Sequence, residues 1–365
     1  MNSLIESLFS ICEEYAASDI HISTDFVPRF RIRGTMEELG DFRPFDRKTV
    51  DAIAMELGLV TLPTGCSDGT ERVRQTLLRD GAIDGAVTAS SGARYRFNVY
   101  RERDRHAIAL RRLDGRFRTI PELGLPARVE DFCDELDGLV LVTGPTGSGK
   151  STTLASLIHK INVSRKGHII TIEDPIEFVH ASEGCFVHQR QVGRDTKSFN
   201  DALVESLRQD PDVILVGELR DLSTVRTALR AAETGHLVFA TLHAGDCAGA
   251  VERLVSVFPA DEQSSARHQL ALVLRGILAQ HLLPNVNRQR RVAACELLVN
   301  TTAVANLIAT GRTAQLYSLL ETGAGVGMCA LEKSLARLYA EGWIDERTAL
   351  AMSRNPEVFK SRLKG

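Results

Sequence analysis

The sequence predicts an α/β protein made of three successive parts. From Val129 to about His281, short apolar runs alternate with helical patterns, which is typical of a parallel sheet with helices on both faces. The segment before them combines an initial helical pattern with period-two alternation and indicates a small α+β domain, whereas the pattern after Pro284 is mostly helical. These observations predict domains at 1–112, 127–283 and 284–365, with a linker at 113–126.

The first domain begins with a predicted helix, because apolar residues recur at helical spacing from Leu4 to Tyr15. The run from Arg29 to Arg33 alternates polar and apolar side chains and ends at Gly34, so it predicts a strand with one solvated face. The same reasoning predicts strands at 94–100 and, returning as a hairpin, at 106–113, and a loop at 61–70. The initial helix leads into the segment 18–22.

Glycine and proline cluster at 113–126, which indicates a hinge before the second domain. In the second domain, apolar runs predict strands at 139–143, 168–173, 213–217 and 237–242. In the third, helical spacing predicts helices at 303–310, 330–341 and 345–353.

The overall composition excludes several classes of protein. The chain has 365 residues, 44% of them hydrophobic, and a net charge of −3, which argues against a protein coated for nucleic-acid binding. Apolar runs stay shorter than the about 18 residues that a membrane-spanning helix needs, and the acidic residues near the start do not fit a signal peptide. The seven cysteines are scattered and include no C-x-x-C pair, which favours reduced thiols in the cytosol over disulfides or a zinc site.

A glycine-rich segment between a predicted strand and a predicted helix gives the strongest functional signal. Residues 144–152 read GPTGSGKST, and this pattern in this context is typical of a phosphate-binding loop rather than of a turn without a ligand. Glycines let backbone N–H groups turn inward around a triphosphate, and the helix N-terminus adds positive potential. Lys150 would then reach the β- and γ-phosphates, and Ser151 would hold Mg²⁺. The predicted nucleotide-binding residues are Gly144, Pro145, Thr146, Gly147, Ser148, Gly149, Lys150, Ser151 and Thr152.

Acidic residues follow two of the predicted strands. Glu218 stands at the carboxyl end of 213–217, where ligands bind in open α/β sheets, so it is predicted to polarise the attacking water or to order it through Mg²⁺. Glu177 follows another strand and is a second candidate for a base or a water-orienting group. A surface acid at a strand end is the alternative for Glu218, and a turn or cap role is equally consistent with Asp174.

Histidines and arginines complete the candidate site. His236 and His243 bracket the strand 237–242, and His243 is predicted to sense the γ-phosphate or to touch the next subunit. A structural role, which is commoner for a lone histidine, stays open for His236. Arginine is dense from 94 to 118, which indicates nucleic-acid binding, arginine fingers that neutralise charge on the γ-phosphate, or a solvent-exposed hairpin.

Taken together, these segments resemble the type II/IV secretion ATPase superfamily, and most closely its type IV pilus retraction ATPases. The resemblance runs nearly from end to end. The matching segments are 17–21 for the N-terminal signature, 144–152 for the Walker A loop, 171–180 for the Asp box, 207–221 for Walker B and 234–244 for the His box. The catalytic residues that the resemblance implies are Glu218, Glu177, Lys150, His243 and His236, with Arg96, Arg111 and one of Arg103 or Arg105 as arginine fingers.

The resemblance implies a PAS-like N-terminal domain, a RecA-like P-loop ATPase domain and a small helical subdomain, assembled as a homohexamer. ATP and Mg²⁺ would bind in a cleft between domains. Hydrolysis would close and open that cleft and move an inner-membrane platform protein at the pilus base, and so power retraction and twitching motility. The ring would be cytoplasmic, peripheral to the inner membrane and not inserted in it, with no nucleic acid as a partner.

Two observations bear on the branch of the superfamily. Assembly and secretion ATPases usually carry an extra N-terminal domain and a four-cysteine zinc module, neither of which this sequence shows, so the retraction branch is favoured. Retraction ATPases also carry a motif close to AIRNLIRE, whereas residues 303–310 read AVANLIAT and lack both arginines and the acid. An ATPase of a type IVB secretion or conjugation system is therefore the main alternative, followed by a nucleic-acid translocase and by an inactive ATPase-like scaffold.

Overall fold

The computed structural model describes residues 3–62, 67–113, 115–288 and 290–363. The chain divides into two compact units. The first contains the residues up to Arg116 together with 173–179 and 190–198, and the second contains 117–172, 180–189 and the residues from Phe199 onward. The segment 173–179, which holds Glu177, therefore belongs to the first unit.

The first unit combines helices with one antiparallel sheet. Its elements are α1 (Ser3–Glu14), β1 (Asp19–Ser23), β2 (Arg29–Ile32), β3 (Thr35–Glu38), α2 (Arg47–Val60), α3 (Gly69–Asp80), β4 (Ala82–Thr88), β5 (Arg94–Glu102) and β6 (Arg105–Leu113). The strand order is β3-β2-β1-β6-β5-β4, with antiparallel neighbours throughout. The predicted initial helix and the predicted strands are confirmed, and residues 63–66 of the predicted loop lie outside the described residues.

One face of this sheet carries the core of the unit. Along β5, Tyr95, Phe97 and Val99 are buried in the same cluster as Ile53 and Leu57 of α2. Because side chains alternate along a strand, the residues between them on β5 lie on the other face.

The β5–β6 hairpin sets the register of that other face. Arg103 and Asp104 have φ values of 48° and 60°, as the two central residues of a tight type I′ turn require. The turn places Arg96 directly opposite Arg111. The predicted hairpin is confirmed, and two of the predicted arginine fingers are neighbours on one face of the sheet.

The second unit is built around a seven-stranded sheet. Its elements are β7 (Gly138–Thr143), α4 (Lys150–Ser164), β8 (His168–Glu173), β9 (Phe186–Gln191), α5 (Phe199–Ser206), β10 (Val213–Val216), α6 (Leu222–Glu233), β11 (Leu237–Leu242), α7 (Cys247–Ser256), α8 (Gln263–Val273), β12 (Leu274–Pro284), β13 (Arg291–Val299), α9 (Thr302–Ala309), α10 (Leu316–Thr322), α11 (Leu331–Ala340), α12 (Glu346–Met352) and α13 (Pro356–Arg362). The order is β13-β12-β7-β11-β10-β8-β9.

The centre of this sheet is parallel and buried on both faces. Strands β12, β7, β11, β10 and β8 run parallel to one another, and β13 runs antiparallel to β12. Every residue of β7, β10 and β11 is buried, which explains why these strands read as continuous apolar runs. On one face, Val140 and Val142 pack in a cluster with Leu157 and Ile161 of α4. The four predicted strands and three predicted helices are confirmed.

Three strands of the second unit were not predicted. β12 and β13 form a hairpin at one edge of the sheet, and β9 lies at the other edge. The β13 sequence contains two alanines, two leucines and a glutamate, which favour helices, and its strand conformation depends on pairing with β12 and on burial.

Two further predictions from the sequence concern membrane-spanning helices and the cysteines. Among the residues described, no helix is long and apolar enough to cross a membrane. Six of the seven cysteines are free thiols, and Cys66 lies outside the described residues.

Candidate functional site

The glycine-rich loop connects β7 to α4 with a backbone that only glycine tolerates at its first position. Gly144 has a φ of 147°, and a Cβ atom there would lie 2.2 Å from the carbonyl oxygen of Gln280. Gly147 and Gly149 also have positive φ values, of 77° and 92°. The loop therefore turns sharply enough for the N-terminus of α4 to face the space that it encloses.

Several features of this loop fit a bound phosphate group. The Ser148 hydroxyl is buried and has no hydrogen-bond partner among the residues that the structure describes. Helix α4 is preceded by Gly149, which has no side chain to cap it, and its first turn contains no acidic residue. The N-terminus of α4 is thus suited to binding an anion, and the exposed Ser151 stands at the start of the first turn.

Lys150 folds back over the loop. Its Nζ atom donates hydrogen bonds to the carbonyl oxygens of Gly144 and Pro145, at 2.9 and 3.0 Å. The ammonium group is consequently held beside the mouth of the loop, where the sequence pattern predicts phosphate oxygens.

Two residues from the unpredicted β12–β13 hairpin brace the loop. Gln280 accepts a hydrogen bond from the Thr153 hydroxyl on α4, with 2.8 Å between the oxygens. Arg291 donates from Nη1 to the Gly147 carbonyl oxygen at 3.2 Å. No local signal marks either residue, since both reach the loop only through strand pairing far along the chain.

Glu218 lies at the carboxyl edge of the same sheet, two residues beyond β10. Its Oε2 atom is 2.7 Å from Nη2 of Arg220, and its Oε1 atom is 3.4 Å from Nε2 of His243. Burial raises the pKa of the Glu218 carboxyl, but the hydrogen bond and charge of Arg220 and the neighbouring His243 outweigh it, so the pKa lies below its ordinary value. Glu218 is therefore an ionised carboxylate at neutral pH.

Hydrogen bonds tie the ends of three strands together at this edge. The Thr241 hydroxyl donates to the Gly217 carbonyl oxygen at 2.5 Å, and the Leu219 N–H donates to the Thr241 carbonyl oxygen at 3.0 Å. Thr143, the last residue before the glycine loop, accepts from the Ala244 N–H at 2.8 Å. The Glu218 segment and the His243 segment are thus fixed beside the glycine loop by backbone groups.

The two predicted histidines lie at opposite ends of β11. His243 follows the carboxyl end and contacts Glu218. His236 precedes the amino end, where its Nδ1 atom lies 3.0 Å from the Ala231 carbonyl oxygen. Seven steps along an extended chain separate the two Cα atoms by about 23 Å. Within this subunit the two histidines therefore lie at opposite edges of the sheet, because a strand sends its two ends to opposite edges, and the role of His236 in ATP hydrolysis stays a prediction.

The first unit holds a second set of candidate residues. Strand pairing aligns Arg31, Asp19, Arg111 and Arg96 across four strands, a set referred to below as the arginine row. Asp19 accepts from Nε of Arg111 at 2.8 Å and lies 3.8 Å from Nε of Arg31. Burial raises the pKa of Asp19, but hydrogen bonds from Ser18 and Arg111 outweigh it, so the pKa is lowered.

Glu177 lies at the end of the arginine row. Its Oε1 atom is 3.8 Å from Nη1 of Arg96. The neighbouring Ile176 carbonyl oxygen accepts a 2.8 Å hydrogen bond from Nε of Arg94, which holds this segment against β5. Asp174, the other acid for which a turn role stayed open, is exposed and precedes Pro175 through a cis peptide bond.

Neither candidate for the third predicted arginine finger, Arg103 or Arg105, belongs to the arginine row. Arg103 lies in the hairpin turn with its side chain 91% exposed, and Arg105 pairs with Asp25 at 2.5 Å. Seven extended residues, about 23 Å, separate Arg103 from Arg96. Neither arginine at the tip is therefore brought together with Arg96 and Arg111.

Comparisons with known proteins show what this chain is similar to. A family model described as "Type II/IV secretion system protein" matches residues 79–338. The "Type IV pilus retractation ATPase PilT" of Pseudomonas aeruginosa is 39% identical over 355 residues, covering 97% of this chain and 99% of the relative.

Two crystal structures have the same fold. That of the pilus retraction motor PilT with bound ADP has a TM-score of 0.87 and 42% identity, covering 98% of this chain and 99% of the other. That of the Legionella pneumophila ATPase DotB has a TM-score of 0.81 and 27% identity, with coverages of 96% and 94%.

Proposed function

We propose, because the chain belongs to the type II/IV secretion system protein family, that it is a Mg²⁺-dependent ATPase that powers retraction of a type IV pilus. The proposal of ATP hydrolysis rests on one observation: the glycine loop and the Glu218–His243 pair lie at the same edge of the parallel part of one sheet. The near-complete coverage of the retraction ATPase and of the ADP-bound retraction motor supports the biological task.

The residues of the second unit have distinct parts in this proposal. Lys150 would exchange its two carbonyl acceptors for β- and γ-phosphate oxygens, and the N-terminus of α4 would bind the same anion. Ser151 would hold Mg²⁺, which supplies neutralisation of phosphate charge. The described residues contain no cluster of three or more His, Cys, Asp or Glu side chains that could hold a metal ion, so the phosphates and water would provide most ligands.

Glu218 would act on the attacking water. As an ionised carboxylate it can accept the water proton while the water oxygen bonds to the γ-phosphorus and the bond to the bridging oxygen breaks. His243, 3.4 Å from Glu218, would orient the carboxylate. Arg96 and Arg111 of the first unit are proposed to act on phosphate charge, because both present a guanidinium group on one solvated sheet face. Glu177, 3.8 Å from Arg96, is proposed as a base or a water-orienting group.

The proposed assembly is a homohexamer that docks on an inner-membrane pilus platform protein from the cytoplasmic side, without inserting in the membrane. The support is family membership together with the whole-length similarity to the retraction motor.

Purified protein tests the chemistry. Lys150→Ala is expected to abolish nucleotide binding, and Glu218→Gln to lower kcat by about 100- to 1,000-fold while ATP still binds. Lys160→Ala is the matched control, since it removes a lysine from the same helix that pairs with Glu130 instead of the glycine loop. Near-normal turnover of Glu218→Gln would contradict the catalytic assignment.

The host strain tests the biological task. With Lys150→Ala at the native locus, a retraction motor predicts many surface pili and no twitching. Unchanged pili with intact twitching would reject retraction.

A secretion ATPase is the second candidate, and a specific surface favours it. The exposed residues of α9 include Ala303 and Asn306, so the segment 303–310 that departs from the retraction motif presents no charge to solvent. Loss of a secreted protein from the medium of the Lys150→Ala strain, with pili unaffected, would establish it.

A further inference from the structure

A buried carboxylate fixes the short segment between α12 and α13. Glu332 on α11 is fully buried, and its Oε1 atom accepts hydrogen bonds from the N–H groups of Arg354 and Asn355, at 3.0 and 3.1 Å. The Ser353 hydroxyl donates to the same oxygen at 3.3 Å. The backbone from which the Arg354 side chain emerges is therefore held in one place.

The Arg354 side chain reaches back to the loop that follows β11. Its Nη2 atom donates to the Gly245 carbonyl oxygen at 2.6 Å. Its Nη1 atom lies 3.2 Å from Oδ2 of Asp246 and 3.2 Å from Oε2 of Glu296. Glu296 is buried, and its other oxygen accepts from the Cys247 N–H at 2.8 Å. The shortest contact of Arg354 is thus to the loop backbone and not to either carboxylate.

Gly245 is two residues beyond His243, the residue that contacts Glu218. Its carbonyl oxygen also accepts from Nε2 of His281 on β12 at 2.9 Å, and Thr143 anchors the adjacent Ala244. Asp246 in turn caps α7 by accepting from the Gly249 N–H at 2.5 Å. The loop has anchors from β7 and β12, and Arg354 is the anchor that comes from the C-terminal helices.

We propose that Arg354 is a positioning residue of the ATPase site, which fixes the Gly245–Asp246 loop and thereby the contact of His243 with Glu218. The proposal rests on the ATP hydrolysis proposed above and extends it to a residue outside the motif segments. It makes α11–α13 part of the catalytic support, because Glu332 on α11 sets the backbone of Arg354. Nothing in the local sequence around Arg354 signals this role.

Steady-state kinetics test the proposal. Arg354→Ala is expected to lower kcat by about 100-fold, as for a catalytic group displaced by about 1 Å, with KM for ATP and the affinity for ADP unchanged. Millimolar guanidinium should restore part of the turnover of this variant, because the free ion can occupy the space between Gly245 and Asp246. Arg354→Lys, which keeps the charge but not the fork of donors, should recover only part of kcat.

Two further variants separate positioning from folding. Arg354→Ala leaves the buried Glu296 carboxylate without its cation, which destabilises the protein. The double variant Arg354→Ala, Glu296→Gln removes that charge, and it should show wild-type thermal stability together with the low kcat. Arg362→Ala is the matched control, since Arg362 pairs with Glu321 and touches neither Gly245 nor Asp246. It should retain kcat.

The possible results distinguish the role of Arg354 from the ATPase assignment. Wild-type kcat in the stable double variant, or a loss of kcat in Arg362→Ala as large as in Arg354→Ala, would overturn the role of Arg354 and leave the ATPase assignment intact. A wild-type protein that does not hydrolyse ATP would overturn the proposed function itself. Low kcat with unchanged KM and guanidinium rescue would support the proposal.

Discussion

The glycine loop of the second unit and the arginine row of the first hold their functional side chains by different means. At the glycine loop, backbone geometry does the positioning, because Gly144 has a positive φ and no space for a Cβ atom. In the arginine row, ion pairs position the side chains: Asp19 holds Arg111, and Glu177 lies beside Arg96. The two arginine side chains are still 71% and 46% exposed.

The difference has an energetic consequence. A backbone-determined site fails at once when a single methyl group is added, since neither the helix nor the sheet can move away. A partly exposed ion pair contributes about 1 kcal/mol or less, so removing one partner weakens the position of the other without abolishing it. Substitutions in the two regions should therefore differ in size as well as in kind.

The largest effect is expected at the glycine loop. Gly144→Ala should abolish ATP hydrolysis and nucleotide binding, and should lower the free energy of unfolding by more than the about 1–3 kcal/mol that strain at a positive φ costs alone, because the added Cβ also meets the Gln280 carbonyl oxygen. Gly342→Ala is the matched control, because Gly342 also has a positive φ, of 72°, but open space where a Cβ would lie. Binding of a fluorescent ATP analogue and chemical denaturation measure both quantities. Equal losses of unfolding free energy in Gly144→Ala and Gly342→Ala would show that backbone strain, and not the clash with Gln280, causes the destabilisation.

A second effect concerns the charge state of Glu218. Arg220→Ala removes the main group that lowers the pKa of this half-buried carboxyl, so burial should then raise the pKa. Protonated Glu218 cannot accept a proton from water, so the acid limb of the kcat–pH profile should move to higher pH. Arg220→Lys should leave the limb close to its wild-type position. A profile for Arg220→Ala that overlays the wild type would mean that His243 alone keeps the carboxylate ionised.

A smaller effect is expected in the arginine row. Asp19→Asn should release Arg111 and lower kcat about fivefold, which corresponds to about 1 kcal/mol of lost positioning. Arg29→Ala is the control, since Arg29 pairs with Glu38 elsewhere on the same sheet. A loss of kcat as large as that of Gly144→Ala would contradict the distinction between the two regions.

The same substitution has a defined pH signature in stability. The folded-state pKa of Asp19 lies below its unfolded value, so its contribution is present above the unfolded value, about pH 4, and is lost as pH falls through the folded one. The difference in Tm between wild type and Asp19→Asn should therefore be largest near neutral pH and shrink below about pH 4. A difference that grows on acidification would contradict the ion pair.

The sequence was sufficient where function follows from contiguous residues. Strand, glycine loop and helix occur in order from Leu139 to Ile161, and Glu218 directly follows an apolar strand, so local pattern and chain direction determine both positions. The braces from Gln280 and Arg291 could not be predicted, because they depend on strand pairing more than 120 residues along the chain, and the β13 sequence favours a helix when taken alone.

Two arginines and one histidine show different limits of prediction from the sequence. The choice between Arg103 and Arg105 stayed open because one residue more or less in a hairpin turn changes which side chains face each other, and only the register of β5 and β6 gives their positions at the turn. His236 is another case, since the chain direction of the strand 237–242 already implied that a residue before it would lie at the edge opposite to His243.

The smallest effect is therefore expected for His236. His236→Ala should change kcat by less than about twofold, the usual range for a substitution away from a site, whereas His243→Ala should lower kcat through loss of its contact with Glu218. The two variants compare the opposite ends of one buried strand under the same assay. A large loss of kcat in His236→Ala with an unchanged Tm would assign His236 to the nucleotide site of a neighbouring subunit, since about 23 Å of extended chain separates it from His243 within its own.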